Sequence, residues 1–397
     1  MEVLSAMEAH LTKKPSASIT ELLFSGDNRF HFKPTEKIIL VGPNNSGKSQ
    51  SLRDIVYICQ NGQKSRTQVV VDLKLSKVGS TEDLEQFLKS EADYVNGHYR
   101  YKDWQIHESH VRLWGNDFLI QQLSAGFVKN VAANDRLAIC DQQPSIAPEE
   151  QKSKPQHLLY DDTALMTKIS GLFRQAFGEE LMFDFRGGSK LPIHVGQMPP
   201  AELVDRVSDA YVNAVREKPL LDKQGDGMKS YAGILFEAIV ADLDITLIDE
   251  PEAFLHPPQM RRLGQTLSSD VPGQLIVATH SSDILRGFLE GTQGNVRILR
   301  ISRQPGKKNF VTEASPDVIK ELWIKPDLRY SNALEGIFHE QTIICEDDSD
   351  CRLINAVADY MAVGSHDQWQ DMSMRRLFDG VRIKLFDGVP GTGSRVL

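Results

Sequence analysis

The sequence has no uninterrupted apolar run close to the roughly 20 residues that a membrane-spanning helix needs, so no membrane partner is expected. Residues 1–15 lack the apolar segment of a secretory signal peptide. No heptad repeat is long enough to predict a coiled coil. The four cysteines show no metal-ligand spacing, which indicates free thiols in a reducing cytosol and predicts a cytoplasmic protein; they are Cys59, Cys140, Cys345 and Cys351.

Positive charge is also in short supply. The chain has 45 lysines and arginines against 54 aspartates and glutamates, which gives a formal net charge of −9. This balance argues against a uniformly basic coat for nucleic acid but is compatible with a local basic groove, because binding depends on the local field. With 397 residues, 41% of them hydrophobic, the chain can build one large or two medium globular domains.

One short stretch carries the strongest functional signal. Residues 42–49 (GPNNSGKS) match the Walker A pattern G-x-x-x-x-G-K-[ST] at every fixed position. Residues 38–41 predict a strand before it and residues 50–56 a helix behind it, so backbone N–H groups and the helix end would converge on a phosphate. An ordinary glycine–asparagine turn is the alternative. The motif predicts ATP bound with Mg²⁺, where Lys48 reaches the β- and γ-phosphates and Ser49 holds the metal. The other predicted nucleotide-binding residues here are Gly42, Asn44, Asn45, Ser46 and Gly47.

Two later stretches complete the predicted site. Residues 244–250 (DITLIDE) predict a short apolar strand that ends in two carboxylates, the Walker B pattern. Asp249 is expected to hold Mg²⁺, and Glu250 to orient or deprotonate the attacking water. Upstream, residues 225–230 (GDGMKS) open a helical pattern over 231–243. A glycine-rich helix start can bind an anion, and a flexible linker is the alternative.

The order of these motifs resembles that of the ABC-type ATPases. The string DEPEAFLHP at 249–257 resembles more narrowly the branch of SMC-like and OLD-family (overcoming lysogenization defect) ATPases. The resemblance covers residues 18–303 in outline and implies an α/β fold, an ABC-type P-loop ATPase head. It places this domain at 1–335, with a helical insertion at about 60–220.

The resemblance also implies roles for individual residues. His280, which follows the apolar run 274–278, would contact the γ-phosphate. Gly225 and Gly227 would belong to the signature helix and contact the γ-phosphate of the other subunit, although Asp226 replaces the usual small residue there. Two heads would sandwich two ATP molecules, so an ATP-dependent homodimer or higher oligomer is expected. Four residues remain candidates for the Mg²⁺-sensing glutamine, namely Gln121, Gln122, Gln142 and Gln143.

The segment 336–397 carries a second motif. Residues 341–346 (QTIICE) predict a strand that ends in a carboxylate, and a helical pattern follows over 351–361. This resembles the opening of a Toprim domain. Glu346 and Asp350 match positions that bind the metals of DNA cleavage, where two Mg²⁺ or Mn²⁺ ions would activate a water.

The Toprim match is incomplete. Asp347 replaces the usual glycine, and the D-x-D spelling at 348–350 follows the first strand instead of the third. With a second strand predicted at 381–386, the segment is expected to be a partial Toprim-like domain. An acidic helix cap at 348–350 is the alternative explanation.

The motifs together support two hypotheses. The first is an OLD-like protein whose ATP-binding head gates DNA cleavage by the Toprim-like segment, with DNA and a partner defence protein as partners in antiphage defence. The second is an ATPase clamp or scaffold without its own nuclease. A predicted hairpin at 295–312 carries an excess of positive charge that either contacts nucleic-acid phosphates or is a solvated face; these residues are Arg297, Arg300, Arg303, Lys307 and Lys308.

Overall fold

The computed structural model describes most of the chain as far as residue 324 and short stretches beyond it. The described residues are 13–62, 66–133, 135–147, 150–200, 205–303, 308–314, 316–324, 337–338, 341–344, 352–353, 356–357 and 384–387. The candidate metal ligands Glu346 and Asp350, and the hairpin residue Lys307, lie outside these ranges.

The described part of the chain contains both strands and helices. The strands are β1 (Ser16–Phe24), β2 (Arg29–His31), β3 (Lys37–Val41), β4 (Val70–Val78), β5 (Asp93–Val95), β6 (His98–Tyr101), β7 (Trp104–His107), β8 (Val128–Val131), β9 (Gln143–Pro144), β10 (Glu180–Phe183), β11 (Lys190–Leu191), β12 (Ile193–Gly196), β13 (Ile245–Asp249), β14 (Gln274–Ala278), β15 (Arg297–Arg303), β16 (Asn309–Glu313), β17 (Gln341–Ile344) and β18 (Lys384–Asp387). The helices are α1 (Lys48–Asn61), α2 (Thr81–Glu91), α3 (Glu108–Val111), α4 (Gln121–Ser124), α5 (Asp135–Ala138), α6 (Pro155–Asp161), α7 (Thr163–Phe177), α8 (Asp209–Arg216), α9 (Asp226–Leu235), α10 (Pro257–Asp270), α11 (Ser282–Thr292) and α12 (Pro316–Ile324).

A sheet in the order β16-β15-β3-β14-β13-β8 forms the centre of the fold. Strands β15, β3, β14, β13 and β8 are parallel, and β16 closes one edge in antiparallel fashion. Parallel strands direct their carboxyl ends, and the loops that follow, to the same edge of the sheet. The Walker A loop after β3, the Walker B carboxylates after β13 and His280 after β14 therefore meet at that edge.

Both faces of the central sheet are covered. In β3, Ile39 and Val41 pack into one apolar cluster with α7, α9, α10 and α11, whereas Ile38 and Leu40 pack into another with α1, β1 and β4. Successive side chains of a strand point to opposite faces, so a doubly covered strand must be apolar throughout. The predicted α/β fold is therefore confirmed, with a parallel central sheet covered by helices on both faces.

A second sheet, in the order β2-β1-β4, packs beside α1. The fully buried Gln274 at the start of β14 ties it to the central sheet, because its amide accepts from the Ile19 N–H at 2.9 Å and donates to the Ile19 carbonyl at 2.8 Å. On the other side, the Asp54 carboxylate of α1 accepts from the backbone N–H of Val69 at 2.7 Å. These buried polar contacts fix the position of the helix that follows the Walker A loop.

The segment 60–220, expected to be a helical insertion with short strands, contains both helices and strands. The sequence patterns of residues 81–92 and 162–177 predict two helices there, and α2 and α7 confirm them. However, the segment also supplies β4 to the second sheet and β8 to the edge of the central sheet. The run LKL in β4 alternates apolar and charged residues with the period of a half-buried strand, and this signal is weak over so few residues.

Two short strands represent the C-terminal segment among the described residues. β17 and β18 confirm strands within the predicted runs 341–346 and 381–386, and they pair antiparallel with Gln341 opposite Asp387. The division of the chain at residues 335/336 stays a prediction. In the described part of the chain, no helix has the length and apolar character that crossing a membrane requires.

Candidate nucleotide-binding site

The loop between β3 and α1 has the backbone shape of a phosphate cradle. Gly42 and Gly47 adopt φ angles of +142° and +106°, and Asn45 lies in the left-handed region at +61°. A Cβ on Gly42 would lie 2.2 Å from the Ile301 carbonyl oxygen of β15, so only glycine fits there. Ser46 is buried, and its hydroxyl has no hydrogen-bond partner in the structure. An orphaned hydroxyl inside a loop of backbone N–H groups fits a phosphate oxygen.

Lys48 is buried beneath this loop at 8% exposure. Its ammonium donates to the carbonyl oxygens of Gly42 at 2.8 Å and Pro43 at 2.9 Å. Burial lowers the pKa of Lys48, and the nearby carboxylates of Glu252, Glu250 and Asp249 oppose this shift. Lys48 is therefore held at the loop as a hydrogen-bond donor, close to the acidic residues that follow β13.

Ser49 and Asp249 meet directly although they lie 200 residues apart in the chain. The Ser49 hydroxyl donates to Asp249 Oδ1 at 2.9 Å. Burial raises the pKa of Asp249, and the hydrogen bond from Ser49 lowers it in opposition. A hydroxyl and a carboxylate are oxygen ligands of the kind that Mg²⁺ prefers, so this pair fits a magnesium ion.

Glu250 occupies a strained turn immediately after β13. Its φ angle of +46° is uncommon for a residue with a side chain. Two contacts hold it: its N–H donates to the Ala278 carbonyl at 2.9 Å, and its own carbonyl accepts from Arg136 Nη2 at 2.7 Å. Left-handed residues of this kind persist where the surroundings enforce them, and they cluster at active sites.

Arg136, in α5, is a residue that sequence reasoning missed. It is fully buried, burial lowers its pKa to about 10, and the carboxylates of Glu252, Asp249 and Glu250 raise it in opposition. Besides the bond to the Glu250 carbonyl, its Nε and Nη1 have no hydrogen-bond partner in the structure. Arg136 belongs to no sequence motif, because its contact with Glu250 forms only when β8 and β13 pair in the folded sheet.

His280 follows β14 and is half-exposed at the edge of the site. Its Nδ1 lies 2.9 Å from Oε1 of Glu252, a carboxylate that is itself buried at 4% exposure. The hydrogen bond with Glu252 raises the pKa of His280, and burial lowers it in opposition. Glu252 belongs to the acidic string after β13, but the sequence pattern did not predict a function for it.

The predicted signature glycines lie at the start of α9. Gly225 is its N-cap residue and is exposed, whereas a Cβ on Gly227 would lie 2.8 Å from the Phe254 carbonyl. Asp226, the first residue of the helix, pairs with Lys229 at 2.8 Å. The helix continues through a π-helical turn at Phe236–Val240, close to the end of the predicted helical pattern. Contact with the phosphate of another subunit stays a prediction.

None of the four candidate glutamines bonds to a residue of this site in the part of the chain that the structure describes. Gln121 and Gln122 open α4, which precedes β8, and the Gln122 side-chain oxygen accepts from the His107 N–H. Gln142 donates to Asp222, and Gln143 donates to the Asp141 carbonyl. The identity of a Mg²⁺-sensing glutamine therefore stays open.

The basic hairpin is confirmed as β15 and β16, but much of its charge is not available to a partner. Arg297 pairs with Glu313, with Nε at 2.7 Å from Oε1. Arg300 is buried at 6% exposure and donates from Nε to the Ile337 carbonyl at 3.2 Å. Lys308 lies 3.6 Å from Asp27. The expectation that Arg300 contacts nucleic acid is wrong, because its side chain points into the protein; Arg303 is exposed.

One family model matches part of the chain. Residues 179–286, which include β13, the acidic string and His280, match the family model described as "AAA domain, putative AbiEii toxin, Type IV TA system". The matched stretch does not include the Walker A loop. No curated protein matches the chain.

Several solved structures are similar to the chain at low sequence identity. An SMC head bound to the C-terminal winged-helix domain of ScpA is 14% identical, with 76% of this chain and 99% of that chain covered and a TM-score of 0.47. The SMC head domain from Thermotoga maritima is 11% identical, with 76% and 100% covered and a TM-score of 0.38. MJ1267, an ATP-binding cassette of an ABC transporter in its ADP conformation, is 10% identical, with 79% and 96% covered and a TM-score of 0.34.

Proposed function

We propose that this chain is an Mg²⁺-dependent ATPase head that dimerises on ATP and thereby gates DNA cleavage by its segment 336–397. The observation that carries the ATPase part is the hydrogen bond between Ser49 and Asp249, which joins Walker A to Walker B across 200 residues. Lys48, Glu250 and His280 surround this pair at the same sheet edge. Each has the chemistry that phosphoryl transfer to water requires.

The side chains divide the work of hydrolysis. Lys48 exchanges its two loop carbonyls for phosphate oxygens, and the Ser46 hydroxyl gains the partner that it lacks in the structure. Ser49 and Asp249 hold Mg²⁺, which neutralises charge on the phosphates when it is bound. Glu250 accepts a proton from the attacking water or orients that water. The hydrogen bond from Arg136 holds the left-handed backbone of Glu250 and so fixes the Cα from which its side chain extends.

Dimerisation is supported by what the site leaves open. Asn44, Asn45, Gly225 and His280 are exposed, and Phe254 presents half of its aromatic side chain to solvent beside the start of α9. A second copy placed over this edge would cover ATP and bring its own α9 to the terminal phosphate. The resemblance to SMC-like and OLD-family ATPases supports the same arrangement.

Replacing Glu250 with Gln tests the ATPase proposal. The variant keeps the size of the side chain and removes the proton acceptor, so ATP binding should persist, hydrolysis should fall roughly 100-fold, and the ATP-bound dimer should accumulate. Light scattering coupled to size exclusion, with and without ATP, measures the dimer. Hydrolysis at the wild-type rate would show that the catalytic carboxylate lies elsewhere.

The nuclease and its role in defence form the finer part of the proposal. The Toprim resemblance of Glu346 and Asp350 supports metal-dependent cleavage, and the matched family model is named for a putative toxin of a toxin–antitoxin system. Antiphage defence with a partner defence protein in a bacterial cytoplasm follows from the OLD-family resemblance. The Toprim and OLD-family resemblances together support a protein that cleaves DNA under the control of ATP.

One observation favours the alternative, an ATPase clamp or scaffold without its own nuclease. β17 and β18 pair antiparallel, whereas a strand–helix–strand unit places its two strands parallel. A clamp would bind nucleic acid or a partner effector and signal through ATP-dependent dimerisation alone.

Plasmid nicking separates these two functions. The purified chain is incubated with supercoiled plasmid and Mg²⁺ or Mn²⁺, with and without ATP, beside a Glu346→Ala variant. Nicking that the variant loses would establish the nuclease. ATP hydrolysis without nicking would favour the clamp.

A further inference from the structure

Glu252 makes three hydrogen bonds to the two residues that follow β14. Its Oε2 accepts from the Thr279 hydroxyl at 2.8 Å, and its Oε1 accepts from the His280 backbone N–H at 2.7 Å. The same Oε1 lies 2.9 Å from Nδ1 of the His280 ring. A buried carboxylate thus binds both the main chain and the side chain of the residue predicted to contact the terminal phosphate.

This contact decides which hydrogens the His280 ring carries. A carboxylate only accepts, so Nδ1 must be the donor and carry a hydrogen. If the ring is neutral, Nε2 then has a lone pair and would face an anionic phosphate as an acceptor. If the ring is protonated, Nε2 also carries a hydrogen and donates to the phosphate. Only the second state attracts the group that it faces.

We propose that Glu252 is a positioning residue that keeps His280 as an imidazolium, so that Nε2–H donates to the terminal phosphate of ATP. This inference rests on the proposed ATPase function and adds a residue to it. Glu250 remains the group that acts on water. Glu252 acts through His280 and orients it by way of the Thr279 and backbone contacts.

The charges around His280 support this role. The Glu252 hydrogen bond raises the pKa of His280 most strongly, and the carboxylates of Glu252 and Glu250 raise it further, while burial and the Lys48 ammonium lower it. The net shift is upward from the ordinary value of 6.5. The protonated ring therefore persists to a higher pH than that of an ordinary histidine and is lost as the pH rises through the raised value.

Glu252→Gln removes the charge and keeps the contacts available. The amide oxygen of glutamine can accept from His280, and the Thr279 hydroxyl can turn to accept from the amide nitrogen. The matched control is Glu21→Gln. Glu21 is buried at 5% exposure in β1, and its carboxylate lies 3.4 Å from Nδ1 of His31 and also pairs with Arg29 and Lys74. Glu21 is therefore a second buried glutamate beside a histidine, in the β2-β1-β4 sheet, although the His31 ring is exposed.

The first readout does not need ATP hydrolysis. The ring of His280 is titrated by NMR with isotope-labelled histidine, and its signal is assigned by its loss in a His280→Gln variant. We expect the midpoint to fall by roughly one pH unit in Glu252→Gln and to stay unchanged in Glu21→Gln. An unchanged midpoint in Glu252→Gln would overturn the proposal.

The second readout is the pH profile of kcat for ATP hydrolysis. In the wild type, kcat should decline on the alkaline side as His280 loses its proton, and Glu252→Gln should move that decline to lower pH. At slightly alkaline pH the variant should be roughly 10-fold slower, with a smaller effect in acid. An equal loss at every pH would mean a merely structural role and would also overturn the proposal. If the wild type hydrolyses no ATP, the ATPase proposal fails, and the NMR titration still decides the link between Glu252 and His280.

Discussion

Lys37, at the start of β3, and Lys48, at the start of α1, show that burial alone does not define a functional lysine. Both are half-buried or more, and both donate to two backbone carbonyls: Lys48 to Gly42 and Pro43, Lys37 to Val271 and Gly273. Burial lowers the pKa of Lys37 to about 8, whereas carboxylates near Lys48 oppose the same effect. What distinguishes Lys48 is its place in the phosphate loop.

Lys48→Ala should therefore weaken ATP binding by roughly 100-fold, because it removes charged donors from the phosphates. Lys37→Ala, at the opposite end of β3, should leave the affinity unchanged. Titration with a fluorescent ATP analogue on the folded proteins measures both. Retained affinity in Lys48→Ala would contradict the assignment of the loop as the phosphate site.

The residues that the sequence predicted are those whose function depends on local spacing. Lys48 and Ser49 follow from one continuous motif, and Asp249 follows from a strand that ends in acid. Arg136 and Glu252 escaped prediction, because their roles arise from contacts between strands that are distant in sequence. Only the packed sheet brings Arg136 to the Glu250 carbonyl and Glu252 to His280.

Between elements, the start of α9 is locked against the loop that follows β13. The Ser230 hydroxyl donates to the Ala253 carbonyl at 3.1 Å, and Gly227 lies directly against the Phe254 carbonyl. Any shift of the Walker B loop is thereby passed to the helix that is expected to meet the second subunit. In the proposed dimer, this contact would connect the Walker B loop to the second subunit.

The two glycines at this helix start should respond differently to the same substitution. Gly227→Ser places a Cβ 2.8 Å from the Phe254 carbonyl, so we expect the free energy of unfolding to fall by about 1–3 kcal/mol. Gly225→Ser meets nothing within 4 Å and introduces a favourable N-cap residue, so stability should be equal or higher. Urea unfolding measures both. Equal stability of the two variants would argue against the close packing at Gly227.

The strands and helices that the sequence predicted are those that are long or apolar along their whole length. Strands β3, β13 and β14 are covered on both faces and show continuous apolar runs, and α2 and α7 have clear caps and periodicity. The strands β4 and β8 lie within the segment expected to be a helical insertion with short strands, and their bounds were not predicted. β8 has only four residues, and β4 alternates apolar and charged residues over only part of its nine, so neither shows a clear period. Their membership in a sheet depends on partners far along the chain.

Across the whole molecule, an acidic protein can bind nucleic acid only where exposed basic side chains are locally concentrated. Arg300 is buried, Arg297 is paired with Glu313, and Arg303 is exposed at the end of β15. The nucleic-acid surface predicted for the hairpin therefore depends on Arg303 far more than on its neighbours.

The substitutions Arg303→Glu and Arg300→Glu should consequently change different properties, DNA binding in the first case and stability in the second. Arg303→Glu should weaken DNA binding, and the slope of log affinity against log salt should become shallower by roughly 1, with the fold intact. Arg300→Glu should lower the free energy of unfolding by about 3 kcal/mol, because a negative charge replaces a buried arginine. DNA binding across a salt series and urea unfolding measure the two effects. Unchanged binding in Arg303→Glu would identify the hairpin as a solvated face.

The strand order of the central sheet has a consequence for folding during synthesis. β3 is made early, yet both of its neighbours, β14 and β15, come more than 200 residues later. On a ribosome that adds about 5–20 residues per second, this apolar strand remains without a partner for roughly 10–50 s. During synthesis β3 therefore exposes unpaired backbone groups and apolar side chains, which are prone to aggregate. Chaperones that bind nascent chains would protect this strand until β14 emerges.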